Sequence, residues 1–171
     1  VDQDVAEGAE QLLQDADLLK ITLLISGSKA EKCWPLESYV SLVRLLSITY
    51  GMKPILVTGP TEKSIAPKLR SQLGDKAVFV DNQPLPVLAQ VLKASDLVVS
   101  VDSGPGHIAA ALGRPMVYIA PTKNVTGFVP TGERIRVVNA TRLSDINVEQ
   151  VMSEIEASIA RVSTLQTSGT E

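Results

Sequence analysis

Asp102, Ser103, Gly104, Pro105, Gly106 and His107 stand consecutively, and His107 is the only histidine of the chain. A carboxylate, a hydroxyl, two glycines and an imidazole in one turn suit the binding of an anion. Glycine lets a ligand approach the backbone, and unpaired N–H groups at a helix start favour phosphate. The neighbours must position that turn. Before it, Leu97, Val98, Val99 and Val101 form an apolar, β-branched run of the kind a parallel strand buried on both faces presents. After it, Ile108 to Leu112 begins a helix of small residues that Gly113 and Pro115 close.

Gly104-Pro105-Gly106-His107-Ile108-Ala109 also fits G-x-G-x-x-A, the dinucleotide fingerprint. That fingerprint needs an acidic residue about 20 positions on, at the end of the next strand, to hold a ribose. Here Val117-Tyr118-Ile119 runs into Ala120-Pro121-Thr122 instead, which argues against NAD or FAD. A longer pattern is more specific. D-S-G-P-G-H-I-A-A-A-L-G-R-P, then A-P-T and P-T-G, resembles the signature of the family 9 glycosyltransferases, which include the bacterial heptosyltransferases. Residues 20–139 carry the resemblance, with Ala120 where the family usually has glycine and Lys123-Asn124 where a proline-containing loop often follows.

The resemblance implies the C-terminal, nucleotide-sugar-binding half of a two-domain GT-B fold. In it, Lys32 of K-C-W-P would contact the diphosphate, as a point charge suited to a departing nucleoside diphosphate. The competing reading is a solvated loop lysine. Ser26, Gly27 and Ser28 stand where hydroxyls of the family face phosphate, though turn chemistry alone explains them. Glu62 falls where the family places an acid on the nucleotide ribose, and a glutamate at a helix start is equally explained by the dipole. Asp102, Ser103, Gly104 and Gly106 belong to the motif, and Asp102 is expected to cap the helix. A single helical histidine is more often packed than catalytic. In its motif His107 reads as a phosphate or sugar contact, and as the reserve candidate for a general base. Thr122 and Lys123 would reach the transferred sugar, under a loop at Thr126-Gly127 that closes over it. Trp34 reads as core.

The rest of the chain supplies the frame. Its 171 residues are one domain by length, and 44% hydrophobic content with 4% aromatic suffices for an aliphatic core. A net charge of −3 with scattered basic residues leaves no footprint for nucleic acid. The apolar runs fall far short of the roughly 20 residues of a spanning helix. Cys33 is the one cysteine, so an internal disulfide is excluded, and a reducing cytoplasm fits.

Residues 4–16 suggest a helix, read with 1–18 as a linker from an N-terminal domain preceding Val1. Strands are expected at 19–25, 54–58, 77–80, 97–101, 116–119 and 135–138. Helices are expected at 36–50, facing inward through Leu36, Tyr39, Val40, Val43, Leu46 and Tyr50, and at 64–73. A third runs over 85–93, with Leu85, Leu88, Val91 and Leu92 inward, and a last one is capped by Asn147 with Gln150 at its third position. The binding domain is read as 19–162 and the polar segment 163–171 as a disordered tail. Alternating short strands and helices predict an α/β, Rossmann-like, doubly wound parallel sheet of about six strands. Ligands then sit beyond the carboxyl ends of the strands, so the loops at 26–35, 59–62, 81–84, 102–107 and 120–132 should share one rim.

Two functions follow. One is the donor half of an inverting glycosyltransferase moving a sugar such as heptose from a nucleotide sugar, ADP-heptose for example, to a lipopolysaccharide core or similar glycan. The full-length protein would be cytoplasmic, at most peripheral on the inner membrane. No cofactor and no metal are expected, because a single histidine forms no cluster and backbone dipoles plus a lysine can carry the diphosphate. The catalytic base is expected on an acidic residue of the N-terminal domain, which would also present the glycan or lipid-linked acceptor. The other function is a stand-alone nucleotide-binding or regulatory module without transfer.

Overall fold

The computed structural model describes residues 2–25, 33–122 and 129–167, with side chains described as far as Arg161. Twelve regular elements alternate: α1 (Gln3–Leu12), β1 (Ile21–Ile25), α2 (Leu36–Tyr50), β2 (Ile55–Thr58), α3 (Ala66–Leu73), β3 (Val78–Asp81), α4 (Leu85–Ala94), β4 (Leu97–Val101), α5 (Gly104–Ala111), β5 (Met116–Pro121), β6 (Ile135–Ala140) and α6 (Val148–Thr167). The strands form one parallel sheet in the order β3-β2-β1-β4-β5-β6. Strand order reverses between β1 and β4, where Leu23 lies beside Val99 and Leu24 beside Ser100. Such a reversal opens a crevice at the carboxyl ends of the two strands, and the turn at 102–107 leaves from there.

Alternation along the strands divides the core in two. Leu23, Leu56, Val99, Val117 and Ile119 face Val43 and Leu46 of α2, Leu69 of α3 and Val151 and Ile155 of α6. Leu24, Val57, Val98, Met116 and Tyr118 face Ala9 of α1, Leu88 and Val91 of α4 and Ala109 of α5. Each buried Leu, Ile or Val contributes about 1.5–3 kcal/mol. The expected linker helix therefore packs on this sheet, burying Ala9 and Leu13.

Trp34 is buried as expected, its Nε1–H donating to Ile146 O at 2.9 Å and its ring edge-on to Tyr39 at 5.0 Å. The Tyr39 hydroxyl donates to Leu24 O at 3.2 Å, tying the start of α2 to the end of β1. Asn147 and Gln150 cap α6 reciprocally, at 2.9 Å in each direction.

Three expectations are corrected. Leu85 is 64% exposed because it opens α4 ahead of the buried stripe that Leu88, Val91 and Leu92 form. Tyr50 ends α2 and turns outward, its hydroxyl donating to Glu156 Oε1 at 2.7 Å. The last helix continues through 163–167 of the supposed tail, since neither glycine nor proline interrupts it before Gly169. No helix among the described residues is long and apolar enough to cross a membrane.

Candidate functional site

The turn after β4 places its side chains differently from the expectation. Ser103, not Asp102, caps α5: it has extended backbone (φ −151°, ψ 155°), and its Oγ accepts from the Gly106 N–H at 3.2 Å. Asp102 and Ser103 are both good caps by type, and the backbone selects the residue immediately before the first helical turn. Pro105 carries no N–H, and the His107 amide donates to Ser103 O at 3.1 Å. Among the described residues this leaves the Gly104 N–H as the amide of the first turn without a recorded partner, fewer than the glycine-rich sequence suggests.

The two glycines differ in role. A Cβ on Gly104 would meet nothing within 4 Å. A Cβ on Gly106 would fall 2.4 Å from Ser100 Oγ and 3.2 Å from Ser103 Oγ. Gly106 is therefore required by the close approach of α5 to β4, a packing role that the sequence pattern does not reveal. Ser100 Oγ donates to Val101 O at 2.7 Å and stands 3.2 Å from Ser103 Oγ, so a short polar seam lies under the helix start.

Released from capping, the Asp102 carboxylate accepts from His107 Nε2 at 3.2 Å. This contact fixes the proton of a neutral imidazole on Nε2 and leaves Nδ1 to a ligand. The two side chains are 31% and 43% exposed, open enough for a substrate to reach them. Burial pushes the Tyr118 phenol far above its ordinary value, and the nearby Asp102 carboxylate pushes it further.

Glu62 is buried at the end of the 3-10 turn Pro60–Glu62 after β2. Its Oε2 accepts from the Gly59 N–H at 3.0 Å and its Oε1 from Thr61 Oγ1 at 2.6 Å, so the carboxylate holds its own turn in shape. Burial and then the Glu62 charge push the Cys33 thiol up. Burial, Cys33 and Glu62 raise the Tyr39 phenol in that order. The Glu62 charge thus lies within electrostatic reach of Cys33 and Tyr39. Thr122 is exposed just past β5. Ser26, Gly27, Ser28, Lys32, Lys123 and the Thr126-Gly127 loop lie outside the described residues.

Tyr118 and Ser100 escaped the sequence reading because each sits in an apolar strand run. The available signal was a buried hydroxyl in such a run, which must find a partner. A groove of about 580 Å³ between β6 and α6, lined by residues such as Val137, Asn139, Asn147 and Glu154, shares no residue with this rim. Among the described residues no three of His, Cys, Asp and Glu gather in a way that could hold a metal ion.

A doubly wound parallel sheet with an Asp–His pair and a helix start at its switch point defines a Rossmann-like domain. The sequence profile of glycosyltransferase family 9 (heptosyltransferase) matches residues 2–156, and the chain belongs to that family. The lipopolysaccharide core heptosyltransferase OpsX of Haemophilus influenzae is 28% identical over 144 residues, spanning 81% of this chain and 40% of that protein. The structure of Escherichia coli heptosyltransferase WaaC with ADP-2-deoxy-2-fluoro heptose superposes with a TM-score of 0.70 at 29% identity, covering 87% of this chain and 47% of that one. A family 9 glycosyltransferase structure from Veillonella parvula gives 0.84 at 20% identity, over 94% and 53%, a likeness of fold. The chain thus spans about half the length of the relatives it matches, and its fold is of the GT-B glycosyltransferase kind.

Proposed function

We propose that this chain is the donor-binding, C-terminal half of an inverting glycosyltransferase. It would hold a nucleotide sugar, with ADP-heptose the leading candidate, for transfer to a lipopolysaccharide core or similar glycan on the cytoplasmic side of the membrane. The observation that carries the reading is the Asp102–His107 pair at the first turn of α5, at the reversal of strand order. Support comes from the Escherichia coli relative, whose structure holds an ADP-heptose analogue. The diphosphate would lie between the Gly104 amide, His107 and Lys32, with the ribose towards Glu62 and the sugar towards Thr122 and Lys123. The acceptor, and the base that deprotonates it, would come from an N-terminal domain.

Titration of ADP into the chain by calorimetry tests the reading. Lys32→Ala should weaken ADP about tenfold, roughly 1.4 kcal/mol. An unchanged affinity in the folded variant removes Lys32 from the site. We also expect affinity to be the same in EDTA and in Mg²⁺, because the helix dipole and lysine would balance the diphosphate charge. Dependence on a divalent ion would point to a different mode of donor binding.

A further inference from the structure

Thr58 and Asp81 are the last residues of β2 and β3 and lie in register beside each other. Thr58 is buried, and its Oγ1–H donates to Asp81 Oδ1 at 2.6 Å. The other carboxylate oxygen, Oδ2, accepts from Nε of Arg70 on α3 at 3.1 Å and also from its Nη2. Phe79 stands two residues before Asp81, on the same face of β3, and its ring centroid lies 4.5 Å beneath the Arg70 guanidinium. Asp81 thus joins β3 to both β2 and α3 at the carboxyl end of the sheet. The segment after it is held as well: the Asn82 N–H donates to Thr58 O at 2.8 Å, and Gln83 Nε2 to Asp81 O at 3.1 Å. Asn82 has a φ of 48°, the left-handed conformation that asparagine adopts more readily than most residues, so the chain turns sharply there.

We propose that Asp81 is a positioning residue for the nucleoside part of the ligand: by binding Thr58 and Arg70 at once, it fixes the turn Pro60–Glu62 and the loop at 82–84 as one rigid wall. The inference rests on the reading of Glu62 as the acid that faces the ribose. The β2–β3 register ends at Thr58 and Asp81, so the two segments that follow depend on side chains to stay together. A carboxylate whose oxygens are bound to different elements cannot turn without breaking a charge-assisted bond. The Arg70 side chain is 52% exposed, and an ion pair so open to water adds little to global stability. Its effect falls on the loops: segments already held in place spare a ligand the entropy of ordering them. The diphosphate, placed against Gly104, His107 and Lys32, is held by other elements.

Thr58→Val keeps the shape of the buried side chain and deletes the hydroxyl, whereas Thr58→Ser keeps the hydroxyl. Titration with ADP and with inorganic pyrophosphate, which lacks the nucleoside, separates the two halves of the ligand. ADP affinity should fall about fivefold in Thr58→Val, the scale of one net hydrogen bond, and pyrophosphate affinity should not change. Thr58→Ser should bind ADP as the unsubstituted chain does. In an Asp81→Ala background Thr58→Val should cost nothing further, because the hydroxyl acts only through the carboxylate. Without any ligand, hydrogen exchange at the Asn82 N–H should quicken in Thr58→Val and in Asp81→Ala.

Unchanged ADP affinity in folded Thr58→Val overturns the proposal, as does an equal loss of ADP and pyrophosphate, which would mean a general loosening of the rim. A loss that Thr58→Ser shares in full overturns it too, because the hydroxyl would then not be its cause. Unaltered exchange at Asn82 in folded Asp81→Ala shows that the carboxylate does not hold the loops, and likewise overturns it. If the unsubstituted chain binds neither ADP nor pyrophosphate while exchange at Asn82 responds, the donor-site reading falls and the fixing of the two loops by Asp81 stands.

Discussion

Supplied with nucleotide sugar and core glycan, the 171-residue chain should bind the nucleotide and turn over no sugar, whereas a longer chain carrying an upstream acceptor domain should be active. Two physical requirements lead there. Inverting transfer needs a base within reach of the acceptor hydroxyl and positive groups on the leaving diphosphate. It also needs the acceptor held against the anomeric carbon, and effective molarities of about 10⁵–10⁸ M come from that positioning alone. A single sheet offers one rim and no opposing wall. Ser103 rather than Asp102 caps α5, and the Asp102 carboxylate accepts from His107 Nε2 in the manner of a base and its orienting acid. The expected inactivity thus rests on the missing wall, and the gap should exceed about a thousandfold. Equal turnover of the two chains would make the Asp102–His107 pair the base and end the split-site account.

The second large effect separates the two glycines of the turn. Gly106→Ala should destabilise the fold by about 2–3 kcal/mol, as overpacking of a tight contact does. Its Cβ would fall 2.4 Å from Ser100 Oγ and 3.3 Å from Ser100 Cβ, neither of which sits on a long flexible side chain. The start of α5 would have to lift from β4, disturbing Ser103, Asp102 and His107 together. In thermal unfolding this corresponds to a fall of roughly 5–10 °C for a domain of this size. Adding Ser100→Ala removes the nearest atom and should restore part of the loss.

Gly104→Ala should behave in the opposite way. Its Cβ meets no protein atom within 4 Å, so stability should stay within about 0.5 kcal/mol. ADP affinity should nonetheless drop about tenfold, because the methyl would occupy the space over the helix start where the diphosphate is placed. Stable Gly106→Ala would refute the packing argument, and unaltered ADP affinity in Gly104→Ala would move the diphosphate elsewhere.

The frame of the molecule was legible because its strands are short, apolar and β-branched and its helices end on Gly51, Gly74 and Gly113, each with positive φ. The site motif was legible for the same reason, as a polar break between an apolar run and a helix of small residues. What stayed hidden depended on backbone geometry or on partners distant in sequence. Nothing in the pair Asp102-Ser103 tells which residue is the cap, since both types qualify. The reason for Gly106 lies in Ser100, a serine in an otherwise apolar strand, and emerges only when α5 is laid on β4. Tyr118 reads as core by pattern, and is core, yet its phenol feels the charge of Asp102. Glu62 has an internal task that its sequence position does not reveal, closing its own turn on Gly59 and Thr61.

The central claim is that the carboxyl-end rim at the reversal of strand order binds a nucleoside diphosphate. Amide shifts of the ¹⁵N-labelled chain on addition of ADP test it most directly, because they report the place of binding as well as its occurrence. The account predicts saturable changes gathered at residues 26–33, 59–62 and 102–107, with the β6–α6 groove unmoved. Changes centred on Asn139, Asn147 and Glu154, or none at millimolar ADP, would contradict it.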